Sequence, residues 1–340
     1  MQGNRVISAS LVIVVIFIAG VVLRLTKPVL FPFFLAIFLS FVLSPVVDFL
    51  TRLKIPKAIS IVFILVITFF VIYLLGVLFY SSGKSFASEF PKYGQKLSSI
   101  LSSLQERLKL AGHTRDPFDW VSQLDINKIG SFLLSSLGPF FSFLSNLFLI
   151  FVFLIFILAG RGKTKEKIRA SFSTSRSSKI INVIQNIDSQ IQRYLAIKTI
   201  VSFFTGVMVT AVLMMFGVDF AIVFGFLTFL LNYIPNIGSI IATALPLTIA
   251  AFQFETLWPA FWILIILGII QMTMGNFVEP RLMGEGLGLS PLVILFSLFF
   301  WGWLWGIPGM ILAVPIAAMI KIVCSNITSL EFVAVLMSKG

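Results

Sequence analysis

Of 340 residues, 59% are hydrophobic, 11% are charged and 38 are Phe. Soluble globular chains hold about 45–50% apolar and about 25% charged residues, so this composition excludes a soluble enzyme, a disordered chain and a secreted disulfide module. The formal charge of +12 is uneven: residues 1–198 carry 22 basic and 8 acidic side chains, and residues 199–340 carry 3 and 5. Basic residues set beside hydrophobic runs follow the positive-inside rule, and no basic domain large enough to fold alone remains, so no nucleic-acid partner is expected.

In chain order, 6–23 is a charge-free run behind Arg5, with Arg24 and Lys27 after it and no small-residue cleavage site, which reads as a first span. Spans two and three follow at about 28–50 and 58–82, separated by the basic turn Arg52, Lys54, Lys57, and close a first domain at 1–83. Residues 84–138 are polar enough to leave the bilayer. Tyr93, Leu97, Ile100, Leu101, Leu104 and Leu108 recur at helical spacing, and a second amphipathic stretch runs from Pro117 through Trp120, Leu124, Ile129 and Phe132. Span four is 139–160. Residues 161–198 form a linker that opens with the densest basic cluster, from Arg161 to Arg169, and continues as an amphipathic helix with Ile180, Ile184, Ile187, Ile191 and Tyr194 on one face. That helix either lies at the membrane interface or packs under the bundle. The basic cluster places 161–198 and the N-terminus in the cytoplasm, and the nearly balanced 84–138 insertion outside.

The C-terminal half, 199–340, is hydrophobic but interrupted. Residues 220–252 carry no charge yet are broken at Asn232-Tyr-Ile-Pro-Asn-Ile-Gly238, with Pro246 beyond. A matching break, Gly306-Ile-Pro-Gly309, precedes Pro315. Paired interrupted segments point to a transporter's binding region, because unwound backbone needs a protein or water-lined cavity; packing kinks are the plainer reading. Between the breaks stand Gln271, Asn276, Glu279 and Arg281. An acid and a base two residues apart at bilayer depth are a functional hypothesis, and at headgroup depth an ordinary loop. Trp258, Trp262, Trp301, Trp303 and Trp305 read as interfacial anchors.

With a single Cys, Cys324, and a single His, His113, the chain cannot build an internal disulfide, a cysteine cluster or a His-pair zinc site. The string Gly160-Arg-Gly-Lys-Thr164 lacks the upstream glycine of a phosphate loop, so no nucleotide and no other cofactor is expected. Without His, Cys or paired Asp at depth, an intramembrane enzyme is not expected either.

At Tyr233-Ile-Pro-Asn-Ile-Gly238, Val278-Glu-Pro-Arg-Leu-Met-Gly284, Leu287-Gly-Leu-Ser-Pro291, Trp301-Gly-Trp-Leu-Trp-Gly-Ile-Pro-Gly309 and Ala313-Val-Pro315 the sequence resembles the autoinducer-2 exporter family of PerM-like permeases. The resemblance implies an all-α polytopic protein of the bacterial inner membrane. It would have about eight transmembrane helices, two of them broken or re-entrant in the C-terminal half. It also implies assembly as a homo-oligomer, with a pentamer as one stoichiometry. The expected function is export of a small polar metabolite such as autoinducer-2, with the lipid bilayer as surroundings. Sodium or lithium/proton antiport, with Glu279 carrying the proton, and a non-transporting membrane scaffold are the alternatives. Asn232, Pro235, Asn236 and Gly238 would form one wall of the path. Gln271, Asn276, Glu279 and Arg281 would supply polar contacts, and Pro308 and Gly309 a second hinge.

The orientation predicts that, in a Cys324→Ser background, Lys165→Cys is labelled by an impermeant thiol reagent only from the cytoplasmic face and Gln105→Cys only from outside. Labelling of both from one face would invalidate the span order.

Overall fold

The structure, a computed structural model, describes residues 20–110, 138–161, 163–284 and 287–339, with Leu11, Val14, Val15 and Ile18; for 86–87, 89–110, 138–146 and 163 it describes the backbone alone. Most of the first expected span, and the second amphipathic stretch from Pro117 to Phe132, lie outside the described residues. The side chains of the stripe from Tyr93 to Leu108 do so too.

Long uncharged runs become long helices, because a backbone that leaves water must satisfy its own polar groups. α1 is Lys27–Arg52, α2 Lys57–Leu110, α3 Gly138–Gly160, α4 Lys163–Ser171 and α5 Thr174–Met215. α6 is Ala221–Leu231, α7 Ile237–Gln253 and α8 Trp258–Thr273. A π-helical turn, Met274–Val278, leads directly into α9, Glu279–Met283. α10 is Pro291–Trp305, α11 Ile307–Ser325 and α12 Glu331–Met337. The described residues are all-α, with one isolated β-bridge between Leu289 and Ser338. Among the described residues five helices are long and apolar enough to cross a membrane: Lys27–Arg52, Lys57–Ser85, Thr174–Met215, Trp258–Met283 and Ile307–Ser325. Leu147–Gly160 with Thr164–Ser171, bent by 60°, makes a sixth. The third expected span and the first part of the insertion are one unbroken helix, α2. Likewise the amphipathic stripe and the hydrophobic run that follows it are one unbroken helix, α5. Of the stripe, Ile191 is fully buried and Ile180, Ile184, Ile187 and Tyr194 are half-buried.

The chain divides into two units. Unit 1 gathers Met1–Val66, Asn146–Ile200 and Val278–Gly340; unit 2 gathers Ile67–Ser145 and Val201–Phe277. Each contains a helical hairpin. In unit 2 the Gln253 side chain, at the end of α7, accepts from the Asp219 backbone N–H at 2.9 Å and donates to the Gly217 carbonyl at 2.7 Å, just before α6. The 220–252 stretch therefore leaves and returns to one level. α6, with 11 residues, is about 16 Å long, roughly half the hydrocarbon thickness, so it is too short to cross a bilayer. In unit 1 the Ser297 hydroxyl donates to the Ala313 carbonyl at 2.9 Å, a contact possible only if α10 and α11 fold back on each other at Gly306. The base is tied by Lys321, whose Nζ donates to the Gly288 carbonyl at 2.6 Å. Both breaks are thus hairpin tips. Pro308 opens α11 and Pro235 sits in the α6–α7 turn, so neither kinks a continuous helix.

One glycine in each hairpin permits the turn. A Cβ on Gly238 would overlap the Leu231 carbonyl oxygen, and one on Gly309 the Trp301 carbonyl oxygen. Gly306 has φ +76°, a conformation that L side chains rarely adopt. The Gly302-x-x-x-Gly306 string is therefore part of a tip; Gly302 faces Met310 of its own hairpin. In unit 2 Gly206 of α5 and Gly225 of α6 each approach the other's carbonyl, so two backbones touch where only glycine fits. The tryptophans divide. Trp258, Trp262 and Trp303 are exposed, as anchors should be, whereas Trp301 and Trp305 are buried with Phe31 and Phe34 in the core of unit 1. They are core residues because the fold-back at Gly306 turns their face inward.

Gly309→Ala is expected to destabilise the purified protein by about 1–3 kcal/mol, the cost of overpacking. Gly268→Ala, where a Cβ meets nothing within 4 Å, should be neutral or stabilising by up to about 1 kcal/mol. Thermal unfolding in detergent, followed by tryptophan fluorescence, compares them; equal effects would contradict the tip geometry.

Candidate functional site

The expected residues are split between the two units, and a residue that was not among them, Lys198, pairs with Glu279. Glu279 opens α9, and both its carboxylate oxygens accept from Lys198 Nζ, at 2.6 and 2.8 Å. The Lys198 side chain is 5% exposed and that of Glu279 16%. The two residues are 81 positions apart in the chain. A second side chain of α5 reaches the same segment: Arg193, five residues back from Lys198, comes within 3.7 Å of where a Cβ on Gly284 would stand, five residues on from Glu279. All of this belongs to unit 1.

Arg281, the base two residues from Glu279, is exposed. On a helix, positions i and i+2 do not face each other, so once 279–283 is helical the two charges must diverge. Lys198 was overlooked because it closes the basic linker. The signal was nevertheless present. Ile187, Ile191 and Tyr194 step by four and three residues, and the next stripe position, four further on, is Lys198. A charge on the apolar face of an amphipathic helix requires a buried partner.

Taking an ammonium and a carboxylate out of water costs several kcal/mol each, recovered only with short, well-directed hydrogen bonds. Here each carboxylate oxygen receives one. The π-helical turn Met274–Val278 lies immediately before Glu279. Such turns hold one residue more than an α-helical turn and are frequent at functional sites, because they can aim a side chain that regular helix would turn away.

The remaining expected residues fall as follows. In unit 2, Asn232 is buried at the end of α6 and its Nδ2 donates to Ser202 Oγ at 3.2 Å; Ser202 is fully buried on α5. Asn236 is exposed, with φ +61°, at the centre of a tight turn in which the Ile237 N–H donates to the Pro235 carbonyl at 2.7 Å, so it serves the turn through its backbone. Pro235 is half-buried beside it and Gly238 is buried. Gln271 is half-buried on α8, and Asn276 is exposed in the π-helical turn. In unit 1, Pro308 is exposed and Gly309 buried at the hairpin tip. α10, with 15 residues or about 22 Å, separates that tip from the loop that follows α9. Glu279 and Pro308–Gly309 are therefore not one cluster. Among the described residues no group of His, Cys, Asp and Glu could hold a metal ion.

The family model described as "AI-2E family transporter" matches residues 11–329. The AI-2 transport protein TqsA of Escherichia coli (strain K12) is 32% identical, over 95% of this chain and 93% of its own length. A Haemophilus influenzae protein named as a candidate transport protein is 35% identical, over 95% of this chain and 94% of its own. A sodium-lithium/proton antiporter of Halobacillus andaensis is 24% identical, over 84% and 86%.

Proposed function

This chain belongs to the AI-2E transporter family, and from that premise we propose that it exports a small polar metabolite, an autoinducer-2-like signal, across the bacterial inner membrane. Its relatives are transporters, not enzymes. The observation that carries the reading is the Lys198–Glu279 pair. A charged pair held out of water among membrane-spanning helices marks a substrate or ion path. While closed, the pair satisfies both charges. Any movement that draws α9 from α5 leaves a carboxylate and an ammonium in need of new partners. A solute rich in hydroxyl groups supplies donors to the first and acceptors to the second, and is bound most tightly when the pair is open. Binding energy of that kind drives the change of state. The N-terminus is cytoplasmic in this reading, and the protein assembles as a homo-oligomer.

A second reading rests on the same carboxylate. The relative named as a sodium-lithium/proton antiporter fits a cycle in which Glu279, released from Lys198, takes a proton or a cation by turns. Lys198 then neutralises the empty state.

Proteoliposomes separate the readings. Export predicts saturable flux of autoinducer-2 that Glu279→Gln lowers at least about tenfold, or about 1.4 kcal/mol of lost stabilisation, in protein that remains monodisperse. Antiport predicts sodium or lithium movement driven by a pH gradient, with no need of the metabolite and abolished by Glu279→Gln. Flux of neither solute in the wild-type protein would leave a scaffold role and refute both.

A further inference from the structure

Where α3 gives way to α4, unit 1 encloses a cavity of about 330 Å³, open on one side and bounded by α1, α3, α4 and α5. Its walls are apolar, with Phe41, Ile157, Ile168 and Ile184 among them. Its polar groups are few: Ser40, Arg161, Thr164, Lys165 and Asp188. Arg161 is partly committed, with Nη2 3.4 Å from Asp188 and its guanidinium 5.7 Å from the centre of the Phe41 ring. Lys165 is exposed, and among the described residues no acid pairs with it. One excess positive charge therefore stands at the mouth of an apolar hollow.

Its depth is set by the sequence. The 23 residues of α3 carry no charge, and the basic run starts at the next residue, Arg161, so the mouth lies where hydrocarbon ends and headgroups begin. A soluble polar metabolite needs free donors and acceptors on the walls; here the Ser40 and Thr164 hydroxyls donate to the carbonyls of Ile37 and Gly160, and Arg161 pairs with Asp188, which leaves Lys165. An acyl chain needs apolar walls, and a phosphodiester needs one cation beside it. Basic pockets between membrane helices bind anionic lipid headgroups on these terms.

We propose that this cavity is a binding site for one anionic phospholipid, with its phosphodiester at Lys165 and Arg161 and the upper part of an acyl chain against Phe41, Ile157 and Ile184. The site lies apart from Glu279 and does not rest on either transport reading.

The test uses the full-length purified protein in detergent, with phosphatidylglycerol, phosphatidylcholine and inorganic phosphate as separate probes, and lipid retained per chain measured by native mass spectrometry. One phosphatidylglycerol per chain should be retained, over phosphatidylcholine by roughly fivefold or more, the worth of about one basic side chain at an anionic headgroup. Lys165→Gln should remove that preference. Gly160→Leu, at a lining position where a Cβ meets nothing within 4 Å, should fill the hollow and reduce retention of both lipids. Should Gly160→Leu not fold, Lys165→Gln decides alone. Equal retention of the two lipids by the wild-type protein, or an unchanged preference in Lys165→Gln, would overturn the proposal. So would displacement of phosphatidylglycerol by millimolar inorganic phosphate, which would make this a site for a soluble anion.

Discussion

A buried ammonium held by a half-buried carboxylate is the constraint around which unit 1 is organised. Lys198 has no water to turn to, and Glu279 little. Each is tolerable only while the other is in place, because an uncompensated charge in such surroundings is far more costly than the pair. The pair pins α9 to α5, and with it the short loop that leads into the α10–α11 hairpin. Two well-packed apolar side chains would serve a merely structural joint as well or better. Retaining ions there makes sense in a protein that has to open the joint and offer the freed groups to something else.

The two hairpins show how a hydrophobic chain can contain irregular backbone without exposing it. In each, a proline at the tip removes a donor that would have no acceptor, and a following glycine lets the second helix meet a carbonyl of the first. In each, a polar side chain closes the base: Gln253 in unit 2 and Lys321 in unit 1. Their shared plan explains why the same short string of Ile, Pro and Gly recurs about 70 positions apart in the sequence.

Much of this could be read from the residues. Hydrophobic runs located α1 and α3 to within a few residues, and the paired Ile-Pro breaks located both tips. What could not be read was direction. A break in a hydrophobic run looks the same whether the helix bends and continues or turns back, and only the Gln253 and Ser297 hydrogen bonds decide for the hairpin. The partner of Glu279 could not be read for a related reason. Nearness in sequence suggested Arg281, but the helical twist of α9 sends that side chain outwards, and the true partner lies 81 positions away. The stripe on α5 held the clue, since it arrives at Lys198 where an apolar residue belongs. Trp301 and Trp305 were misjudged by composition alone: tryptophan favours interfaces, yet a tip that folds back encloses its own face.

The most direct test is a double-mutant cycle on Lys198 and Glu279, measured as unfolding free energy of the purified protein. Lys198→Met and Glu279→Met should each cost about 3–5 kcal/mol, and the double variant should cost far less than their sum, because it leaves no charge unpaired. A parallel cycle of Glu279 with Arg281 should show no coupling. Additive losses at Lys198 and Glu279, or coupling of Glu279 to Arg281 instead, would contradict the account.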